Sequence, residues 1–175
     1  TWEDNLASGT IGWKIKYSDS DEGEDSYLGE VWTSPYNDYD AYGSAIGDLN
    51  QDGEKEIILG TGYGNLRVYN TSFKELASWS QSGDAYGIDI GNLTSDPGLE
   101  FVVGSGDYGV YVYNSTYHQI GNLKSNRNDI YNPTIGDVNN DGKNELIFGD
   151  SGEIVHVFDE SLTEIWTSSD LGGET

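Results

Sequence analysis

Two acidic loops carry the residues best suited to chemistry in this chain of 175 residues. Each loop places oxygen-bearing side chains at its first, third, fifth and ninth positions, a glycine at its sixth position, and a backbone carbonyl available at its seventh. The first loop, residues 48–56, supplies Asp48, Asn50, Asp52 and Glu56, with the carbonyl of Glu54. The second loop, residues 137–145, supplies Asp137, Asn139, Asp141 and Glu145, with the carbonyl of Lys143. Several hard oxygen ligands in a flexible loop favour Ca²⁺ over metals that prefer softer ligands.

A weaker version of this loop lies between the two. Residues 92–100 keep Asn92, Thr94, Asp96 and Glu100, so this loop has fewer carboxylates and is predicted to bind a cation less well. The alternative for any one loop is a turn rich in Asn and Asp that binds nothing. Two matching copies in register favour the cation. The twelfth position is Leu59 or Phe148 rather than a carboxylate, which excludes an EF-hand.

The loops belong to an internal repeat. GDLNQDGEKEIILG, GNLTSDPGLEFVVG and GDVNNDGKNELIFG start at Gly47, Gly91 and Gly136, which are 44 and 45 residues apart. Each is followed by a second apolar run, and together they indicate four short strands per unit. Repeats of this length with four strands are typical of propeller blades. The sequence therefore predicts an all-β propeller of about four blades with almost no helix, in one domain over residues 1–175. The predicted blades are 40–83, 84–128 and 129–172, with a partial blade at 1–39.

The partial blade raises the question of how the propeller ends. LGEVWTS from Leu28 matches LTEIWTS from Leu162, but the strand that should open this blade is missing. An unpaired strand edge is a template for another chain. We expect the two termini to meet within one ring or, preferably, a neighbouring subunit to cover the edge. Because the chain starts at Thr1 and contains no Met, it is either a processed product or an excerpt.

In their length and in their acidic loops, the repeats resemble the FG-GAP/VCBS repeats found in the β-propeller of integrin α subunits. The family's D-x-D-x-D-G-x-x-[DE] cation loop matches residues 48–56 and 137–145. The resemblance implies calcium in these loops and a role in adhesion or recognition, usually outside the cell. The family usually has seven blades, so a fragment of a larger seven-bladed adhesion protein is an alternative to a complete molecule.

The composition narrows the possible partners. The net charge is −23, from 31 acidic and 8 basic residues. This charge excludes nucleic-acid binding, which needs a basic surface, and argues against anionic membranes. It favours cations or a salty medium. The chain has no Cys, so it has neither disulfides nor thiolate chemistry. An extracellular protein without disulfides depends on packing or on metal ions.

Few residues suggest catalysis. The two histidines, His118 and His156, fall at variable repeat positions and are predicted to be ordinary surface residues. Trp79 and Trp166 lie in fourth strands, as does Trp32 in the partial blade, and are predicted to pack in the core or at an edge. The N-glycosylation motifs (N-x-[ST]) at Asn70, Asn92 and Asn114 are about as many as chance would give, so they are no evidence of glycosylation.

Three functions compete. The first is a non-enzymatic, calcium-stabilised module outside the cell or on its surface, serving adhesion or self-assembly into a surface structure or filament. Its expected partners are further copies of itself, another cell-surface protein or a glycan. The second is a carbohydrate-binding lectin. The third, an enzyme such as a polysaccharide lyase, has no support beyond the fold, and a fold does not confer function.

Overall fold

The computed structural model describes residues 40–125 and 129–169, and over these residues the protein is all-β. The strands form three antiparallel sheets of four strands each. The first sheet contains β1 (Ala41–Gly47), β2 (Glu56–Thr61), β3 (Asn65–Tyr69) and β4 (Glu75–Ser80). The second contains β5 (Ala85–Gly91), β6 (Glu100–Ser105), β7 (Gly109–Tyr113) and β8 (Gln119–Lys124). The third contains β9 (Thr134–Gly136), β10 (Glu145–Gly149), β11 (Val155–Phe158) and β12 (Glu164–Thr167).

Each sheet is a meander in which spatial order follows chain order. Short turns join the strands, and the only helix among the described residues is one 3-10 turn, Gly62–Gly64. A register shift lies near the start of the fourth strand in every sheet, as between Val68 and Tyr69 in the first. The same local sequence therefore produces the same sheet three times.

The hydrophobic core lies between successive sheets. One cluster joins the first sheet to the second, and fully buried members such as Ile58 and Val68 meet Phe101 and Val103. Trp79 of β4 completes this junction, with its ring centroid 5.2 Å from that of Tyr113. Burial of these side chains stabilises the junction by about 25 cal/mol for each Å² of apolar surface removed from water.

A second cluster joins the second sheet to the third. Val102, Val110 and Val112 of the second sheet pack with Leu146 and Phe148 of the third. The first strands β1, β5 and β9 lie side by side, with β5 contacting both of the others. This order is compatible with propeller blades around a central channel, which would make β1, β5 and β9 the innermost strands.

The prediction of an all-β chain built from four-stranded antiparallel sheets is confirmed. Among the described residues the sheets do not close into a ring, so the count of about four blades and the manner of closure stay predictions. The partial blade at 1–39 lies outside the described residues. Within them, β7, the third strand of the second sheet, is buried along its whole length, because the first and third sheets cover its two faces.

Candidate cation-binding loops

The first loop, residues 48–56, joins β1 to β2 and folds around its own side-chain oxygens. The two carboxylate oxygens of Asp48 accept N–H bonds from Asp52 (3.0 Å) and Gly53 (2.9 Å). Asn50 Oδ1 also accepts from the Asp52 amide at 2.9 Å, and Asp52 Oδ1 accepts from the Glu54 amide at 2.8 Å. Gly53 has φ 95°, a conformation that glycine adopts without strain. Side chains one, three and five of the loop therefore converge on its concave side.

The loop at 137–145 repeats this geometry between β9 and β10. Asp137 accepts from the amides of Asp141 (3.2 Å) and Gly142 (2.9 Å), and also from the Asn140 amide at 2.6 Å. Asp141 Oδ1 accepts from the Lys143 amide at 2.9 Å. In both loops the side chains at positions one, three and five thus accept amides of the loop itself, since Asn139 Oδ1 also accepts the Asp141 amide at 2.8 Å. The loops differ at the third residue, where Asn50 donates to Asp52 and Asn139 donates to Glu145.

The acid at the ninth position behaves differently from the other three, because it is buried. Glu56 and Glu145 are only 3% and 2% exposed. Glu56 Oε2 accepts the Leu49 amide at 2.9 Å, and Glu145 Oε2 accepts the Val138 amide at 3.0 Å. Burial raises the pKa of Glu56, the Leu49 amide lowers it, and the negative charges of neighbouring carboxylates raise it further. A bound cation would stabilise the ionised form of this glutamate.

The middle loop, residues 92–100, shares the buried glutamate and little else. Glu100 is fully buried, and its Oε2 accepts the amides of Leu93 (2.8 Å) and Thr94 (2.9 Å). Its Oε1 is buried with no hydrogen-bond partner. Asp96 contributes only its amide, which donates to Thr94 Oγ1 at 3.2 Å.

Contacts across the sheets tie the three loops together. The Leu99 amide donates to the Leu49 carbonyl at 2.8 Å, and Asn144 Nδ2 donates to the Asn92 carbonyl at 2.9 Å. The loops therefore lie along one edge of the three sheets. A cation that orders an outer loop would also support its neighbour.

The donor set fits a hard cation, although the carboxylates are engaged with their own backbone. Within residues 40–125 and 129–169, no three His, Cys, Asp or Glu side chains are arranged as a metal-holding group. In each outer loop the available set is two Asp, one Asn, the buried Glu and the carbonyl at the seventh position. Oxygen ligands of this kind and number suit Ca²⁺. Each ionised carboxylate has about four acceptor sites, so an Asp oxygen that accepts an amide keeps a lone pair for the ion.

A second group of residues gathers at the opposite end of the innermost strands. Tyr42, Tyr86 and Tyr131 form a row with ring centroids 5.4 and 5.0 Å apart. Tyr42 and Tyr131 are about half exposed, at 48% and 49%. Burial and the charges of Asp40 and Asp84 raise the pKa of Tyr42. Sequence reasoning missed this row, although the repeated Asp-Ala-Tyr-Gly of residues 40–43 and 84–87 could have revealed it.

Other predicted positions had mixed outcomes. His156 is not an ordinary surface residue: its ring stacks on Phe148 and its Nδ1 lies 2.6 Å from Glu164 Oε1. His118 lies in an exposed turn, with Nδ1 3.1 Å from Thr116 Oγ1. Trp79 packs in the core as predicted, whereas Trp166 is 54% exposed. Trp32 lies outside the described residues.

The sequons occupy turns. The side chains of Asn70 and Asn114 accept hydrogen bonds from backbone amides within equivalent turns between third and fourth strands.

No helix in the described part of the chain is long and apolar enough to cross a membrane.

Comparison with known proteins shows the fold and no closer relationship. No family model matches the chain, and no curated protein matches it. Among solved structures, a humanized mutant of the Chaetomium thermophilum Polycomb Repressive Complex 2 bound to the inhibitor GSK126 matches 73% of this chain with a TM-score of 0.60 and 10% identity. BBS1N in complex with ARL6DN matches 78% with a TM-score of 0.59 and 12% identity. A mitotic checkpoint complex matches 71% with a TM-score of 0.53 and 17% identity.

These neighbours are β-propeller proteins, so the described sheets have a propeller-like arrangement. This chain spans only 28%, 43% and 37% of the three matched chains, respectively. At such low identity the likeness concerns the fold alone.

Proposed function

We propose that the protein is a non-enzymatic, calcium-stabilised β-propeller module of the FG-GAP/VCBS type that serves adhesion or self-assembly outside the cell. The observation that carries this proposal is the pair of loops at 48–56 and 137–145. Both turn Asp, Asn and Asp oxygens inward above a buried Glu, on the same edge of the sheets. One such loop is a common turn, whereas two identical ones in a repeat support a shared ligand.

The proposed ion is Ca²⁺ because every candidate ligand is a hard oxygen donor. Extracellular modules of this chemistry bind Ca²⁺ at about 10⁻⁴–10⁻³ M, a level that only extracellular fluids sustain. The absence of Cys and the charge of −23 agree with a protein that relies on cations instead of disulfides. Calcium would offset the repulsion among these carboxylates, so the ion has a structural role.

Isothermal titration of calcium into the chelator-treated protein tests this proposal. We expect two sites per chain, one for each outer loop. Asp48→Ala should remove one site and leave the other, and Asp137→Ala should do the converse. Substitution of both should abolish the heat of binding. Retention of two sites in the double variant, or no binding by the unsubstituted protein at 10 mM Ca²⁺ (about ten times the upper end of that range), would contradict the proposal.

One observation favours the lectin as a second candidate. The row of Tyr42 in β1, Tyr86 in β5 and Tyr131, which precedes β9, places three aromatic rings at the edge remote from the cation loops. Aromatic rings beside carboxylates and hydroxyls can stack on and hydrogen-bond to sugars. A glycan array would separate the candidates: specific binding that is lost in Tyr42→Ala and Tyr131→Ala favours the lectin, and no binding favours adhesion through protein contacts.

A further alternative concerns the size of the whole protein. In this alternative the chain is part of a larger seven-bladed adhesion protein, in which further blades of the same repeat complete the ring. Calcium binding by the two loops is expected for the fragment and for the complete module alike.

A further inference from the structure

The repeat allows each sheet to be compared with the others at every position. In the first two sheets, one face is covered by the following sheet: Leu49 and Leu93, at equivalent positions, are 0% and 1% exposed. The equivalent residue of the third sheet, Val138, is 55% exposed. Trp166 of β12, on the same face, is 54% exposed. Among the described residues, the third sheet therefore presents an uncovered apolar face whose counterparts in the other two sheets are core.

Glycines on this face show what kind of surface should cover it. A Cβ built on Gly60 would lie 2.9 Å from the Cβ of Ala85, and one built on Gly104 would lie 2.5 Å from the carbonyl oxygen of Ile130. The next sheet thus approaches too closely for any side chain. At the equivalent Gly149 a Cβ meets nothing within 4 Å. A glycine inside a strand commonly marks the close approach of another backbone.

A second set of glycines repeats this pattern on the innermost strands. A Cβ on Gly47 would lie 3.0 Å from Ile90 Cγ2, and one on Gly91 would lie 2.7 Å from Ile135 Cγ2. At the equivalent Gly136 nothing lies within 4 Å. At the other two junctions, an isoleucine side chain fills one recess and the beginning of the next sheet's first strand fills the other. In the third sheet the equivalent recesses, at Gly136 and Gly149, stay empty among the described residues.

The first sheet carries the residues that would fill them. Ile46, equivalent to Ile90 and Ile135, is 64% exposed. Ala41, equivalent to the fully buried Ala85, is exposed. Within residues 40–125 and 129–169, both the recesses and the residues that match them are uncovered, so β1 does not cover the third sheet of its own molecule.

We propose that β1 of one copy packs against the third sheet of a second copy, with Ile46 over Gly136 and Ala41 over Gly149. This inference rests on the self-assembly part of the proposed function and gives it a surface. The contact is head-to-tail, so it generates a ring if the rotation closes and an open filament if it does not. An exposed apolar face of this kind is typical of a protein contact site.

Charge sets the condition for this contact. Each copy carries a net charge of −23, which opposes association. Salt or bound cations should reduce this repulsion, because screening shortens the reach of surface charge to about 8 Å at physiological ionic strength.

Sedimentation of the full chain in calcium and 0.5 M NaCl tests the contact. We expect the mass to rise above 19.2 kDa with concentration. Gly149→Val should return the protein to the monomer without changing its melting temperature, since a Cβ at this position meets nothing within 4 Å in the part of the chain that the structure describes. The matched control is Gly104→Val, which should lower the melting temperature because its side chain collides with Ile130 inside a covered junction.

A compensating pair sharpens the test. Gly136→Val should fill the recess and block association, and adding Ile46→Ala should restore it, because the smaller side chain leaves room for valine. A surface unrelated to this contact would not show that rescue.

Three outcomes would overturn the inference. A chain of 19.2 kDa at every concentration would do so. Association that persists in both glycine variants would keep self-assembly but assign it to another surface. A monomer in which Val138→Cys resists thiol labelling would assign the face to residues 1–39 of the same chain. Calcium binding by the outer loops is measured separately and does not depend on these results.

Discussion

The middle loop and the two outer loops begin and end alike but are held together by different interactions. All three bury a glutamate whose Oε2 accepts the amide of the loop's second residue, namely Leu49, Leu93 or Val138. The outer loops add carboxylates at positions one and five that accept backbone amides. The middle loop has no such carboxylate contact among the described residues. It shares with the loop at 137–145 a hydrogen bond to the preceding loop, from the Leu99 amide to the Leu49 carbonyl in one case and from Asn144 Nδ2 to the Asn92 carbonyl in the other.

This difference separates the residue that shapes all three loops from the residues proposed to bind the cation. The ninth-position glutamate is common to all three loops, so it fixes the start of the second strand whether or not a cation binds. The middle loop keeps an aspartate at position five, Asp96, but has Asn92 at position one, so the aspartate at position one is what distinguishes the two outer loops. A residue that occupies a ligand position of the motif is therefore not necessarily a ligand. A substitution in one loop has to be compared with the same substitution at the equivalent position of the other loops.

Removal of calcium should give the largest effect. A ligand that binds only the folded state stabilises it by about 2.7 kcal/mol per site at a free concentration 100 times the Kd. Two outer loops therefore predict about 5 kcal/mol and a clear drop in melting temperature in excess EGTA, reversed by calcium. Thermal unfolding by circular dichroism measures it. An unchanged melting temperature would remove the outer loops from the cation hypothesis altogether.

Glu100→Ala should come next, because it removes the acceptor of two buried amides. Loss of a buried hydrogen-bond partner costs about 1–3 kcal/mol for each group left unsatisfied. We expect about 3 kcal/mol of destabilisation in urea unfolding, the same with and without calcium. Glu100→Gln is the control, since its amide oxygen still accepts both N–H groups. A calcium-dependent loss in Glu100→Ala would show that the middle loop binds the ion after all.

Single aspartate substitutions should have a somewhat smaller effect that depends on calcium. Asp52→Ala and Asp141→Ala should each lose one site, about 2.7 kcal/mol at 100 times the Kd. Asp96→Ala, the matched change in the middle loop, should lose none of the calcium response. The measurement is the difference in melting temperature between calcium and EGTA for each variant. An equal loss in Asp96→Ala would erase the distinction between the loops.

The pH dependence of the first loop should give the smallest effect. Burial raises the pKa of Glu56 in the folded state, so the ionised form disfavours folding. Its contribution to stability is therefore fully present below its unfolded pKa and is lost as pH rises through the raised folded pKa. In EGTA, Glu56→Gln should flatten this loss as pH rises above the ordinary glutamate pKa of about 4.5, as measured by urea unfolding. With calcium present the same variant should instead lose stability, because it removes a charged ligand.

The sequence alone determined the local features of this protein. The 44- and 45-residue spacing, the apolar runs and the Gly and Asn turns predicted four-stranded units, because a strand and its hairpin depend on neighbouring residues. The loops at 48–56 and 137–145 were predicted for the same reason, since their ligands lie within nine residues of one another.

Only the tertiary structure decided which strand or sheet packs against each residue. The sequence predicted His156 as a surface residue, yet its ring packs on Phe148, its partner on the adjacent strand of the same sheet. It gave Trp79 and Trp166 the same environment, yet only Trp79 has a following sheet to cover it among the described residues. The tyrosine row and the empty recesses at Gly136 and Gly149 depend equally on the placement of one sheet against the next. A residue's own repeat specifies its strand and its face, but burial is decided by the sheet that packs against that face, and that sheet comes from elsewhere in the chain or from another molecule.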